Sequence, residues 1–95
     1  MSDPVVVALR GEVDVAQEDE VRRALRGGVA EALERGCDLV VDLTAVSFMD
    51  STGFSGLATA YLRLSGAGLH LVVRGAGVGV RRALEILGMA EFLCD

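Results

Sequence analysis

The sequence LVVDLTAVSFMDSTG at residues 39–53 decides the fold, because it joins a buried strand to the start of a helix. Its first five residues are apolar apart from one aspartate, which is typical of a strand covered on at least one face. From Ser51 to Ser65, apolar residues recur at spacings of three and four, which predicts an amphipathic helix. A strand that leads into a helix is the first half of a βαβ unit.

The same alternation of strand and helix patterns extends in both directions along the chain. Further strands are predicted at residues 4–10 and 69–73 and near Phe92, and further helices after Asp14 and around residues 80–87. Gly36 and Gly88 stand where the two helices should end. The pattern predicts an α/β fold with a small mixed sheet of about four strands, helices packed on it, and a single domain covering residues 1–95.

Composition limits the function classes that this chain can serve. Of its 95 residues, 52% are hydrophobic and 24% are charged, enough apolar surface for a folded core. The net charge of −5 disfavours nucleic-acid backbones and anionic membrane surfaces. No apolar run approaches the length of a membrane span, and the start lacks the basic character of a secretory signal. We therefore expect a cytoplasmic protein whose partner is another protein.

Metal and nucleotide sites lack the residues that they require. Cys37 and Cys94 have no close spacing, and His70 is the only histidine, so the usual four ligands of a zinc site are missing. The glycine-rich stretch at residues 75–79 resembles a dinucleotide-binding loop, but Val80 stands where that fingerprint needs glycine. We predict no metal and no cofactor.

Residues 46–54, at the junction of strand and helix, lie at the sheet end where ligands and partners usually bind. Asp50 or Ser51 can cap the helix, and Gly53 would let another surface approach the backbone closely. These residues fit a plain capping motif as well as a functional site. Since only His70 could activate Ser51 and it is expected within a strand, we predict that the protein is not an enzyme.

Three apolar residues flank this junction: Phe48, Met49 and Phe54. Each is expected in the core, although in so small a domain one of them could be exposed and anchor a partner.

Residues 43–53, LTAVSFMDSTG, resemble the signature of the STAS domains of bacterial anti-sigma factor antagonists. Residues 11–14, GEVD, resemble the Gly-Glu-Leu-Asp that precedes the first long helix of that family. Residues 80–89, VRRALEILGM, resemble its later helix, so the likeness covers nearly the whole chain.

The resemblance implies a partner-switching cycle. The unmodified protein would bind an anti-sigma factor that is also a serine kinase and so release a sigma factor; phosphorylation would end the binding, and a phosphatase would restore it. By motif position the modified residue is Ser51, with Thr52 the lesser candidate. The partner-binding residues implied are Asp14, Asp50, Ser51, Thr52, Gly53 and Phe54.

Phosphorylation at this place is chemically reasonable. A seryl phosphate adds about −1.5 to −2 charges, which the positive end of a helix tolerates. Next to Asp50, and near Asp14 if the strand ends meet, it would repel a closely packed partner. The alternative function is a STAS scaffold or transporter-accessory module with no kinase cycle.

The chain departs from the family pattern in several places. Residues 53–56 read GFSG where Gly-Leu-Gly is common, and Gly79 replaces a frequent proline. From the printed residues we expect no counterpart of the family's N-terminal strand and C-terminal helix. An apolar strip left uncovered would favour self-association.

Overall fold

The computed structural model describes residues 3–94, and the side chains of residues 3–92. Its elements follow in this order: β1 (Val5–Val13), a 3₁₀ turn (Val15–Gln17), α1 (Glu18–Arg35), β2 (Leu39–Met49), α2 (Ser51–Ser65), β3 (Leu71–Arg74), α3 (Val78–Ile86), a second 3₁₀ turn (Ala90–Phe92) and β4 (Leu93–Cys94). No helix in this part of the chain has both the length and the apolar character to cross a bilayer.

The four strands form one sheet in the order β1-β2-β3-β4. All three pairings within the described residues are parallel, so the sheet is parallel where a mixed one was expected. Each pair of neighbouring strands is joined by a helical crossover, as parallel pairing requires. The predicted α/β fold with about four strands and packed helices is confirmed.

Strands β1 and β2 are longer than their apolar runs predict. The pairing of β1 with β2 shifts register between Ala8 and Arg10 and again between Gly11 and Glu12. Gly11 has φ of +73°, a conformation that glycine adopts without strain. Because such irregularities interrupt the two-residue alternation, the far half of each strand resembles a loop in the sequence.

The core lies between one face of the sheet and the helices α1 and α2. Val5, Leu9 and Val13 of β1 are buried there, whereas Val6, on the opposite face, is 50% exposed. The largest fully buried side chains include one from α3, Leu84. The others are Leu39, Leu43, Leu57, Leu64, Val13, Val29, Val41 and Val73.

The two adjacent glycines of α1 predict opposite mutational effects. A methyl group on Gly27 would meet nothing within 4 Å, so Gly27→Ala should stabilise the protein by about 0.5–1 kcal/mol through helix propensity. A methyl group on Gly28 would lie 2.5 Å from Val7 Cγ2 and 3.0 Å from Leu39 Cδ1, so Gly28→Ala should destabilise it by about 1–2 kcal/mol. Urea unfolding of both variants measures the change in the free energy of unfolding. Changes of the same sign in the two variants would contradict the packing described for Gly28.

Asp42 lies on β2 beside Arg74 of β3. Its Oδ1 accepts a hydrogen bond of 2.9 Å from the Thr44 backbone N–H, and its Oδ2 is 3.8 Å from Arg74 Nη2. The Thr44 hydroxyl, the Thr44 backbone N–H and, more weakly, Arg74 lower the pKa of Asp42 below its usual 3.8. The ionised form is therefore bound more favourably in the folded state than in the unfolded chain.

This lowered pKa predicts a pH dependence of stability. Asp42 stabilises the fold above about pH 4, and that contribution is lost as the pH falls through the lower, folded-state pKa. The stability difference between wild type and Asp42→Asn should thus shrink on acidification, while Thr44→Val, which removes only the hydroxyl, should give an intermediate profile. Urea unfolding between pH 2.5 and 6 measures this difference in the free energy of unfolding. A difference that stays constant over this range would contradict the lowered pKa of Asp42.

Candidate functional site

Two aspartates follow the carboxyl ends of neighbouring parallel strands. Val13 of β1 and Met49 of β2 are register partners, and Asp14 and Asp50 come directly after them. The Asp50 N–H donates to the Val13 carbonyl over 3.0 Å, which joins the two strand ends. The structure therefore brings both predicted acidic residues to one edge of the sheet.

Asp50, rather than Ser51, caps helix α2. Its Oδ1 accepts from the Thr52 N–H at 2.9 Å, and its carbonyl accepts from the N–H groups of Gly53 and Phe54 at 3.1 and 3.3 Å. With the cap made by its neighbour, Ser51 is the first residue of α2 and is exposed. Its hydroxyl makes no hydrogen bond to any described residue and is accessible for modification.

Asp14 has the same role at the start of the preceding 3₁₀ turn. Its Oδ1 accepts from the Ala16 N–H at 3.0 Å, and its carbonyl accepts from the Gln17 N–H at 2.9 Å. Both aspartates use one carboxylate oxygen for their backbone, so Oδ2 of each has no hydrogen-bond partner among residues 3–94. One carboxylate oxygen of each aspartate therefore remains unused by the described residues at this edge.

Gly53 is needed for packing inside the domain. It is buried, and a methyl group there would lie 2.5 Å from Met49 Cγ and 2.8 Å from Val13 Cγ1. The surface that approaches its backbone is therefore the domain's own strand ends. The predicted close approach at Gly53 is made by Val13 and Met49, and its part in partner binding stays a prediction.

The three apolar residues at the junction differ in exposure. Met49 is buried, Phe54 is half-buried against the core, and Phe48 is 50% exposed. Phe48 is thus the one of the three that is exposed, although the core was expected for each. It lies opposite Glu12 in the register of β1 and β2. The buried neighbour Met49 was the available signal, since successive strand residues point to opposite faces.

Ser51 and Thr52 also line one end of a groove between α1 and α2. This groove encloses about 530 Å³ and is the larger of the two best-formed cavities in the described part of the chain. Arg22, Arg26 and Arg63 line it as well. Sequence periodicity did not reveal this set, because it comes from two helices separated by a strand.

His70 and Cys37 lie away from the site. The backbone N–H of His70 donates to Asp38 Oδ1 at 3.0 Å. This contact lies just before β2 and β3 begin, at the opposite end of the strands from Ser51. His70 therefore cannot act as a base for Ser51, and it precedes β3 instead of lying within it. Cys37 is a buried free thiol, and the part of the chain that the structure describes has no cluster of residues that could hold a metal ion.

The fold and site define a small α/β module with an accessible serine at the start of an aspartate-capped helix, after the strand whose neighbour ends in a second aspartate-capped turn. The chain matches the model of the STAS domain over residues 2–94 and belongs to that family. It is 30% identical over 92 residues to anti-sigma-B factor antagonists of Listeria monocytogenes and Listeria innocua, covering 97% of this chain and 78% of each relative.

Two solved structures share the fold. The anti-sigma factor antagonist SpoIIAA in its unphosphorylated form superposes with a TM-score of 0.81 at 20% identity, over 100% of this chain and 81% of that one. The Bacillus cell fate determinant SpoIIAA in the phosphorylated form gives 0.72 at 19% identity, over 100% and 86%.

Proposed function

We propose that this protein is an anti-sigma factor antagonist that acts in the cytoplasm as a binding protein and not as an enzyme. Its curated relatives in two Listeria species are named anti-sigma-B factor antagonists and match nearly its whole length. Binding of an anti-sigma factor would release the sigma factor that this partner holds. The single observation that carries the proposal is the exposed Ser51 at the start of α2, inside the matching motif.

The switch that we propose is phosphorylation of Ser51 by the anti-sigma factor acting as a serine kinase. A phosphate at the first helical residue is near the positive end of the α2 dipole, so the folded domain tolerates it. At the same edge it joins the carboxylates of Asp14 and Asp50 and raises the local negative charge. A closely packed partner must then accommodate the added group and desolvate excess negative charge at this edge. A phosphatase would reverse the change.

Thr52 remains the second candidate for modification. It is half-buried, and its N–H is bound by Asp50, whereas Ser51 is exposed. Accessibility therefore favours Ser51 as the kinase substrate.

The test is incubation of the purified protein with the cognate anti-sigma factor and ATP, followed by mass spectrometry of the peptide that contains Ser51. We expect one phosphate in the wild type, one in the control Thr52→Val, and none in Ser51→Ala. Absence of phosphate on Ser51 and Thr52 in the wild type would instead favour a scaffold or transporter-accessory module.

A further inference from the structure

The groove between α1 and α2 has walls of polar and charged side chains. On α2, the residues that line it at intervals of four are Ser51, Ser55, Thr59 and Arg63, so they form one stripe along the helix. On α1, a second stripe with the same interval consists of Glu18, Arg22 and Arg26. Both helices follow strands of one parallel sheet, so they run in the same direction and the stripes extend side by side.

The floor of the groove is apolar. It consists of Val21, Leu25, Val29, Gly56 and Ala60. Gly56 holds the helices close, because a methyl group there would lie 3.0 Å from Leu25 Cδ1. Because Val21, Leu25, Val29 and Ala60 are already buried in the core, the surface open to a ligand is that of the polar and charged walls.

The groove is cationic on an acidic protein. Its charged residues are three arginines and one glutamate, whereas the whole chain carries −5. Glu18 forms an ion pair with Arg22 at 2.5 Å. Within residues 3–94, neither Arg26 nor Arg63 has a hydrogen-bond or ion-pair partner. Two guanidinium groups therefore remain available to carboxylates of a ligand.

We propose that this groove binds an acidic segment of a protein partner, with carboxylates paired to Arg26 and Arg63. The charge complementarity is local: three arginines would contact few nucleic-acid phosphates, while the surrounding chain repels a polyanion. An acidic peptide carries fewer charges than a nucleic acid, so the surrounding chain repels it less.

The groove also ends at the residue that we propose is phosphorylated, and this connection rests on the proposed function. If the acidic segment belongs to the anti-sigma factor, a phosphate on Ser51 adds negative charge at the end of the groove that this segment occupies. The modification would then weaken the complex in two ways, by repulsion at the sheet edge and by repulsion of the acidic segment in the groove.

The test uses the full unmodified chain and a ten-residue peptide of alternating glutamate and leucine, followed by two-dimensional NMR. We expect shifts of the amide signals of Ser55, Gly56 and Thr59 and of the Nε–H signals of Arg26 and Arg63, which weaken as salt is added. The variant Arg26→Ala/Arg63→Ala should bind at least about tenfold more weakly, since charge-assisted hydrogen bonds are lost.

A matched control uses one arginine of α1 and one of α3. Arg23→Ala/Arg82→Ala removes the same charge from exposed arginines that do not line the groove, and it should change the affinity less than about threefold. Equal loss in both double variants, shifts outside the groove, no binding at millimolar peptide, or tighter binding of a thymidine decanucleotide would each overturn the proposal.

The two proposals fail separately. The peptide titration needs neither kinase nor sigma factor. Phosphorylation of Ser51 without peptide binding would overturn only the proposal that the groove binds an acidic segment. Peptide binding without phosphorylation would overturn only the proposed phosphorylation switch.

Discussion

Replacing Ser51 with glutamate is expected to weaken binding of the anti-sigma factor by at least about 100-fold, which corresponds to roughly 2.7 kcal/mol. The added carboxylate stands beside the Asp50 cap and the Asp14 turn, so a partner must desolvate three neighbouring anions at one edge. The fold should be unaffected, because a negative charge in the first turn of a helix is favourable. Isothermal titration calorimetry gives the affinity, and urea unfolding gives the stability.

Two variants isolate the effect of charge at this position. Ser51→Ala keeps a small side chain without charge and should bind within about threefold of wild type, since the capping bond comes from Asp50. Ser65→Glu adds the same charge to an exposed serine at the other end of α2, about 20 Å along the helix, and should also bind normally. Wild-type affinity of Ser51→Glu would contradict the switch.

Gly53→Val is expected to destabilise the protein by about 3 kcal/mol, the largest stability effect predicted at the site. The added side chain would overlap Met49 and Val13, which are buried at the ends of β2 and β1. Either α2 moves away from the sheet, or both strand ends shift and weaken the bond from the Asp50 N–H to the Val13 carbonyl. Urea unfolding followed by circular dichroism measures the loss.

The control for this substitution is Ser55→Val, on the same helix at an exposed position. It introduces the same β-branched side chain without overlap, so it should cost less than about 0.5 kcal/mol. Similar losses for the two variants would mean that helix propensity, and not close packing on Val13 and Met49, makes glycine necessary at position 53.

Local signals predicted the helices well. The start of α2 at Ser51 and its end at Ser65 follow from an aspartate cap, three- and four-residue spacing and the glycines beyond. Gly36, with φ of +66°, ends α1 as expected of a C-terminal glycine. Each of these features depends on neighbours a few residues apart, which is why sequence reasoning finds them.

The strands were predicted less completely. Residues 39–43 were identified, but β2 continues to Met49, through a segment that is largely exposed. Pairing with β1 holds this segment in place despite two register shifts. Backbone hydrogen bonds between distant segments leave little trace in composition, so the sequence alone placed the strand end too early.

The sequence by itself determined the α/β class, the helix start at Ser51 and the family motif around it, because capping, periodicity and motif spacing are local properties of the chain. Only the tertiary structure decided that Asp50 makes the cap while Ser51 stays exposed, that Gly53 faces inward, and that Phe48 is exposed. The tertiary structure alone also brought Arg22, Arg26 and Arg63 into one groove. The crossovers of a parallel sheet place two helices side by side, although their residues are far apart in the sequence.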